Sequence, residues 1–213
     1  MTHANGDIYQ GEWKDGKANG EGVFVDSEGS MYKGGWLDDE YHGQGTECWN
    51  KNSIQYTGEF KHGKKTGKGK FEFNGNYYEG EFLDGQFHGQ GKYYFSDTGS
   101  LYEGQFEHNK IIGKGKMVDD DGSTYEGDFK NGKMDGNGVK TWPSGNVYTG
   151  AFRNNLQHGP GKLYKAKTGE TKAEEWREGK RWTWTKNDQT EEKVNPMLHY
   201  KSNKQIKESG WAR

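Results

Sequence analysis

Histidines, a run of lysines set among glycines, and scattered carboxylates are the residues whose types and spacing could do chemistry. His42, His88 and His158 each stand just before a Gly-x-Gly, and His62 and His108 stand in short polar turns. A zinc site needs nitrogen or sulfur ligands about 2 Å from one ion. Carried on successive hairpins, equivalent histidines sit roughly 10 Å apart, so no shared ion is expected. "GKKTGKGK" from Gly63 invites a phosphate-loop reading, but only three residues separate Gly63 from Gly67. A phosphate loop has four there and opens a helix. What remains of that stretch is a basic group, Lys61, Lys64, Lys65, Lys68 and Lys70, suited at most to an anionic headgroup. No nucleophile, base and acid are brought together. No catalytic residue, metal ligand or cofactor is expected, and the chain reads as a non-enzyme.

The elements that position these residues are unusual in composition. Of 213 residues only 28% are hydrophobic, yet there are 35 Gly, 13 Tyr, 10 Phe and 8 Trp. Disordered chains are poor in aromatics, and a chain so short of aliphatic residues cannot fill a deep two-layer core. It can bury one aromatic stripe. The net charge of −2 gives no global attraction to nucleic acid or an anionic membrane. Cys48 is the sole cysteine, which excludes an internal disulfide and suits a reducing compartment. No run is apolar enough to span a membrane as a helix, and no signal-peptide core follows Met1. Cytoplasm, or a structure continuous with it, is the expected home.

Self-comparison organises the chain. Tyr-x-Gly-x-aromatic runs from Tyr9 to Trp13, Tyr32 to Trp36, Tyr56 to Phe60, Tyr78 to Phe82, Tyr102 to Phe106, Tyr125 to Phe129 and Tyr148 to Phe152. Eleven residues after each Tyr comes a Gly-x-Gly, such as Gly89 and Gly91. An eighth copy is degenerate: Lys172 replaces Tyr, Trp176 keeps the aromatic, and the Gly-x-Gly is lost. Between the halves lie Asp15-Gly16, Asp38-Asp39, His62-Gly63, Asp84-Gly85, His108-Asn109, Asn131-Gly132 and Asn154-Asn155. These types tolerate the positive φ of a two-residue type I′ hairpin.

Each repeat is therefore a β-hairpin. A turn at Asp84-Gly85 sets Phe82 opposite Phe87, Gly80 opposite Gly89 and Tyr78 opposite Gly91. Alternation along the strands places Tyr78, Gly80, Phe82, Phe87, Gly89 and Gly91 on one face, with the rings over glycines. Glu79, Glu81 and His88 fall on the other, which reads as solvated. Between repeats, Phe24 faces Tyr32, Phe71 faces Tyr78 and Tyr93 faces Tyr102, with all length variation confined to the connecting loop.

This pattern, at about 23 residues over residues 6–185, resembles the MORN repeat (membrane occupation and recognition nexus). The resemblance implies an all-β fold: an elongated, single-layer, twisted antiparallel sheet of consecutive hairpins with a grooved aromatic face. It also implies a structural or adaptor protein that scaffolds protein–protein assembly. Chains built almost wholly of such repeats resemble radial spoke head proteins of the ciliary axoneme and other cytoskeletal MORN proteins. The alternative is a module that binds phosphoinositide or membrane. Proteins of a larger assembly are the expected partners, without nucleic acid.

The division expected is a repeat sheet over 1–185 and a non-repeat tail over 186–213. The tail is polar, and its few apolar residues include Met197, Leu198, Tyr200 and Trp211. With Trp176, Trp182 and Trp184, these are the candidate docking residues for a partner.

Overall fold

The computed structural model describes residues 6–49 and 53–182. The chain falls into two compact units that divide between Asn109 and Lys110. Unit 1 carries β1 (Ile8–Lys14), β2 (Lys17–Val25), β3 (Met31–Leu37), β4 (Glu40–Trp49), β5 (Ile54–Lys61), β6 (Lys64–Phe73), β7 (Asn76–Leu83), β8 (Gln86–Phe95) and β9 (Ser100–Glu107). Unit 2 carries β10 (Lys110–Val118), β11 (Thr124–Lys130), β12 (Lys133–Thr141), β13 (Val147–Arg153), β14 (Leu156–Lys165), β15 (Glu170–Arg177) and β16 (Lys180–Trp182). Within each unit every strand pairs antiparallel with the next in chain order. The described residues contain no helix.

The turns follow from their residue types. Both central residues of each hairpin turn have positive φ, for example 49° at Asp84 and 79° at Gly85. That is the type I′ geometry, whose twist matches the strands it joins. From the second hairpin on, each turn also docks on the repeat before it. The N–H of Gly63 donates to the Tyr41 carbonyl at 2.9 Å, and that of Gly85 to Lys65 at 2.9 Å. Where the second turn residue is Asp or Asn, its side chain adds a bond: Asp39 accepts from the Ala18 N–H at 2.7 Å and Asn109 from the Phe87 N–H at 2.8 Å.

The register inside the hairpin differs from the expected one. Phe82 does face Phe87, but Gly80 faces Gly91 and Tyr78 faces Tyr93. Between Glu81–His88 and Gly80–Gly91 the second strand carries two more residues than the first. The same shift recurs between Gly11 and Trp13, Gly34 and Trp36, Gly127 and Phe129, and Gly150 and Phe152. Its cause is the first glycine of the Gly-x-Gly. Gly89 sits at φ 60°, a left-handed conformation costly for residues with a Cβ, and it bulges the strand. Gly89 therefore does not lie under an aromatic ring: a side chain there would run into the Glu81 carboxylate. Because the slip is two residues, alternation is preserved and the remaining residues keep their faces. The connections between repeats carry no slip, and Phe24 faces Tyr32, Phe71 faces Tyr78 and Tyr93 faces Tyr102.

In each unit the core is a stripe of rings lying on the strands. Tyr9, Tyr32, Tyr56, Tyr78, Tyr102, Tyr125 and Tyr148 are all buried, as are Trp36, Phe60, Phe82, Phe106, Phe129, Phe152 and Trp176. Each Tyr meets the aromatic four residues on edge-to-face, for instance Tyr78–Phe82 at 5.2 Å and Tyr125–Phe129 at 5.1 Å. That is the favoured geometry for ring quadrupoles.

Candidate interaction surface

The repeated residues are consumed in building the frame. Each Tyr hydroxyl donates to the carbonyl three residues on. Tyr9 reaches Glu12 at 3.0 Å, Tyr32 reaches Gly35 at 2.8 Å, Tyr78 reaches Glu81 at 2.8 Å and Tyr125 reaches Asp128 at 2.9 Å. These carbonyls stand where the bulge breaks the ladder, so the phenol replaces a lost sheet bond. The ring crosses the glycines on the way. A Cβ on Gly91 would lie 2.5 Å from the Tyr78 ring, and one on Gly80 would lie 2.5 Å from its hydroxyl. Burial pushes the tyrosine pKa values up, to about 12 for Tyr102 and Tyr148 and further for Tyr78 and Tyr125.

In four of the seven repeats an acid stands three residues after the Tyr, and it is part of the frame as well. Glu59 accepts from the Lys68 N–H at 2.9 Å, Glu81 from the Gln90 N–H at 3.2 Å and Asp128 from the Asn137 N–H at 2.8 Å. These donors are the middle residues of Gly-x-Gly, freed by the bulge. Reading Glu81 as merely solvated missed this role. The sequence clue was an acid recurring at Glu12, Glu59, Glu81 and Asp128, always opposite the same glycine.

What varies between repeats lines the aromatic face. One column, two residues after each turn, reads Ala18, Tyr41, Lys65, Phe87, Ile111, Met134 and Gln157. A second, two residues after each Gly-x-Gly, reads Phe24, Glu47, Phe71, Tyr93, Met117, Lys140 and Leu163. In unit 1 these columns are rich in rings. Tyr41 stacks on Tyr32 at 3.6 Å and Phe87 on Tyr78 at 3.9 Å. The row continues through Trp49–Phe71 at 6.3 Å, Phe71–Phe87 at 6.3 Å and Phe87–Tyr93 at 6.1 Å, with Phe87 buried and Trp49, Phe71 and Tyr93 half-buried. In unit 2 the same columns hold aliphatic and polar side chains.

Two ion pairs interrupt the lining, the first half-buried and the second with a buried lysine. Lys65 lies 4.6 Å over the Trp49 ring and 2.7 Å from Glu47. Lys140, whose side chain is 5% exposed, pairs with Asp119 at 3.0 Å. The basic group near Gly63 is therefore not a free patch. Lys65 belongs to the aromatic face, Lys64 pairs with Asp84 at 3.1 Å and Lys70 with Glu72 at 2.7 Å.

The histidines come together in a way that comparing equivalent positions did not foresee. Because each turn docks on the preceding repeat, His62 meets His42 with ring centroids 5.6 Å apart, and His108 meets His88 at 6.0 Å. His62 Nδ1 is 3.0 Å from Glu40 and His108 Nδ1 is 2.7 Å from Gln86. Among the described residues no group of three or more His, Cys, Asp or Glu is placed to hold a metal ion. The lone Cys48 is buried, and burial raises its thiol pKa.

The candidate docking residues separate sharply. Trp176 is core, not surface: it occupies the position of Phe152 in the repeat before and meets Tyr148 at 5.7 Å. Trp182 is 38% exposed, with the Arg177 guanidinium 3.9 Å over its ring. Trp184, Met197, Leu198, Tyr200 and Trp211 lie outside the described residues, as does the 186–213 tail. Trp13, counted with the buried face, is 45% exposed.

A family model of the MORN repeat matches seven times, over residues 9–31, 32–54, 56–76, 78–100, 102–124, 125–147 and 148–168. No curated protein matches the chain in sequence. Among solved structures, the chain is similar to the SAS-4 (dCPAP) TCP domain of Drosophila melanogaster, in complex with a proline-rich motif of Ana2 (dSTIL). There the identity is 12%, over 81% of this chain and 92% of that one, with a TM-score of 0.31. It is also similar to the wild-type TCP10 domain of Danio rerio CPAP, at 12% identity over 82% and 92%, with a TM-score of 0.32. Superpositions this loose say nothing about partners.

Proposed function

This chain belongs to the MORN-repeat family, and from that premise we propose that it is a non-enzymatic structural adaptor that scaffolds protein–protein assembly. MORN repeats make a protein-interaction or membrane-binding module. One observation carries the choice between the two. The invariant residues are spent on the frame, with buried rings and hydroxyls bonded to their own backbone. Variation is concentrated in two columns; in unit 1 the second leaves Phe24, Phe71 and Tyr93 half-buried at the surface of the stripe, with Phe71 and Tyr93 packed against the buried Phe87 of the first. A constant frame with a variable, ring-rich lining suits recognition of a protein segment, since rings give large contact area at low entropic cost. The membrane alternative draws on the family resemblance and on the lysines near Gly63, and three of those five lysines lie in ion pairs.

At the finer level we place this adaptor in the cytoplasm, in a cytoskeletal structure, with the radial spoke head of the ciliary axoneme as the specific candidate. The support is the resemblance of a chain built almost wholly of repeats to such proteins. Proximity labelling of the full chain against a Phe71→Ser/Tyr93→Ser variant tests the adaptor reading. Loss of a defined set of labelled cytoskeletal proteins is the expected result. Sedimentation of the full chain with phosphoinositide vesicles, together with an unchanged labelling pattern, would reverse the choice.

A further inference from the structure

The hairpin turns differ in the charge they bring to the repeat before them. Four hairpins set two cations directly opposite each other at the turn: Lys14 and Lys17, Lys61 and Lys64, Lys130 and Lys133, and Arg177 and Lys180. Like charges so placed are destabilising, and in three of the four a neighbour offsets them. The next turn docks Asp38-Asp39 beside the first pair, where Asp39 accepts from the Ala18 N–H at 2.7 Å. It docks Asp84-Gly85 beside the second, where Lys64 reaches Asp84 at 3.1 Å. In the last, Arg177 stacks 3.9 Å over the Trp182 ring. Lys130 and Lys133 receive the opposite treatment. Their neighbour is the neutral turn Asn154-Asn155, docked through the Asn155 N–H on the Met134 carbonyl at 2.9 Å, and just ahead of it stands a third cation, Arg153. The ion pairs of unit 2 join Lys114 to Asp128, Lys140 to Asp119, Lys172 to Glu170 and Arg181 to Glu174. They leave Lys130, Lys133 and Arg153 unpaired among the described residues.

The result is an open cleft of about 350 Å3 lined by Lys130, Asn131, Lys133, Asp135, Arg153 and Asn154. None of these residues is apolar. Asp135 is already engaged, because its carboxylate accepts from the Asn154 N–H at 3.2 Å. Three cations and one carboxylate leave a net charge of +2 around one small space. We propose that this cleft binds a phosphoryl group carried by a segment of a partner protein. A phosphomonoester brings about −1.5 to −2 charges and three acceptor oxygens at pH 7, which matches the charge of the cleft. The Arg153 guanidinium has the planar fork that takes two such oxygens at once. Lys130 and Lys133 add point charges, and the side-chain amides of Asn131 and Asn154 are further donors. A carboxylate side chain brings a single charge and leaves the excess uncompensated. A bilayer is a poorer fit as well, since a basic patch with no apolar side chain to insert holds a membrane weakly. That the carrier is a protein rests on the adaptor reading; the phosphoryl site itself does not, and it shares no residue with the aromatic row.

Backbone amide chemical shifts of the full chain, titrated with a glycine-flanked phosphoserine pentapeptide, test the site. The signals of Asn131, Gly132 and Asn154 should move saturably, and the matching glutamate pentapeptide should bind about tenfold more weakly. Arg153→Gln should weaken the phosphopeptide by about tenfold, the loss of a charge-assisted contact, with the melting temperature unchanged. Lys162→Gln removes the same charge elsewhere in unit 2 and should leave binding intact. Phosphatidylcholine vesicles with a phosphoinositide added form the second arm, and the wild-type chain and Arg153→Gln should sediment with them equally. Shifts that do not saturate, equal weakening by Arg153→Gln and Lys162→Gln, or a glutamate peptide that binds as tightly would each overturn the phosphoryl site. Vesicle binding that is lost in Arg153→Gln would overturn the protein carrier and leave the phosphoryl chemistry standing.

Discussion

The two units share one frame and differ in what they display on it. Tyr78 and Tyr125 are both buried, donate to the carbonyl three residues on and cross a glycine pair. Beside Tyr78 stand Phe87 and Tyr93; beside Tyr125 stand Met134 and Lys140. Even the polar islands differ. Lys65 and Glu47 replace aromatic residues in unit 1 under the rings of Trp49 and Tyr56, whereas Lys140 in unit 2 is tied to the Asp119 loop. The lesson is that the repeat constrains the residues that touch their own backbone. It leaves free the residues that touch only neighbouring side chains, and those are where recognition can diverge.

That comparison is open to direct attack, and the strongest blow is to the frame. Gly91→Val and Gly138→Val each set a branched side chain within 2.5 Å of a buried Tyr ring. Each should cost about 3 kcal/mol, the upper end for overpacking, and by similar amounts in the two units. Chemical denaturation that finds one variant near neutral would show that the frames are not equivalent.

Next in size is the hydroxyl. Tyr78→Phe and Tyr125→Phe keep the ring but leave a bulge carbonyl without its donor, a loss of about 1–2 kcal/mol. The same tyrosines predict an alkaline limit. Their folded pKa is raised by burial, to about 12 for Tyr102 and Tyr148, against about 10 for an unfolded tyrosine. The contribution is whole below pH 10 and disappears as pH rises through the folded value, because only the unfolded chain ionises readily. Far-ultraviolet dichroism and tyrosinate absorbance should therefore change together above pH 10. Gradual ionisation with the strands intact would contradict buried phenols.

The lining should matter less for stability and more for binding. Phe71→Ala, at a half-exposed ring, should cost about 1–2 kcal/mol by lost apolar burial, while Met117→Ala in unit 2 costs the same or less. Only the first should weaken partner capture, and equal effects on capture would erase the distinction between the units. Smallest of all, Glu79→Gln on the polar face should stay within about 0.5 kcal/mol, measured by thermal melting.

Much of this architecture was legible in the sequence. The Tyr-to-Tyr period, the turn dipeptides and the alternation of side chains were enough to fix a sheet of hairpins and to assign Tyr78, Phe82 and Phe87 to one face. Trp176 could be read both ways: it keeps the aromatic place of the eighth copy, yet it stands close to Trp182 and Trp184 as if in a docking cluster, and only the cover supplied by Tyr148 decides for the core.

Register, too, lay beyond the sequence. Alternation has a period of two, so it cannot detect a slip of two residues: Gly80 opposite Gly89 and Gly80 opposite Gly91 give the same faces. Only the folded chain decides between them, through the left-handed Gly89 and the bond from Tyr78 to the Glu81 carbonyl. The docking of each turn on the previous repeat is likewise tertiary, and it is what brings His62 to His42 and His108 to His88. The sequence determined the period and the face, because these follow from local geometry repeated seven times. Tertiary structure decided the bulge, the capping role of Glu81 and the neighbours of each turn, because these depend on which strand a backbone group finds once its own ladder is broken.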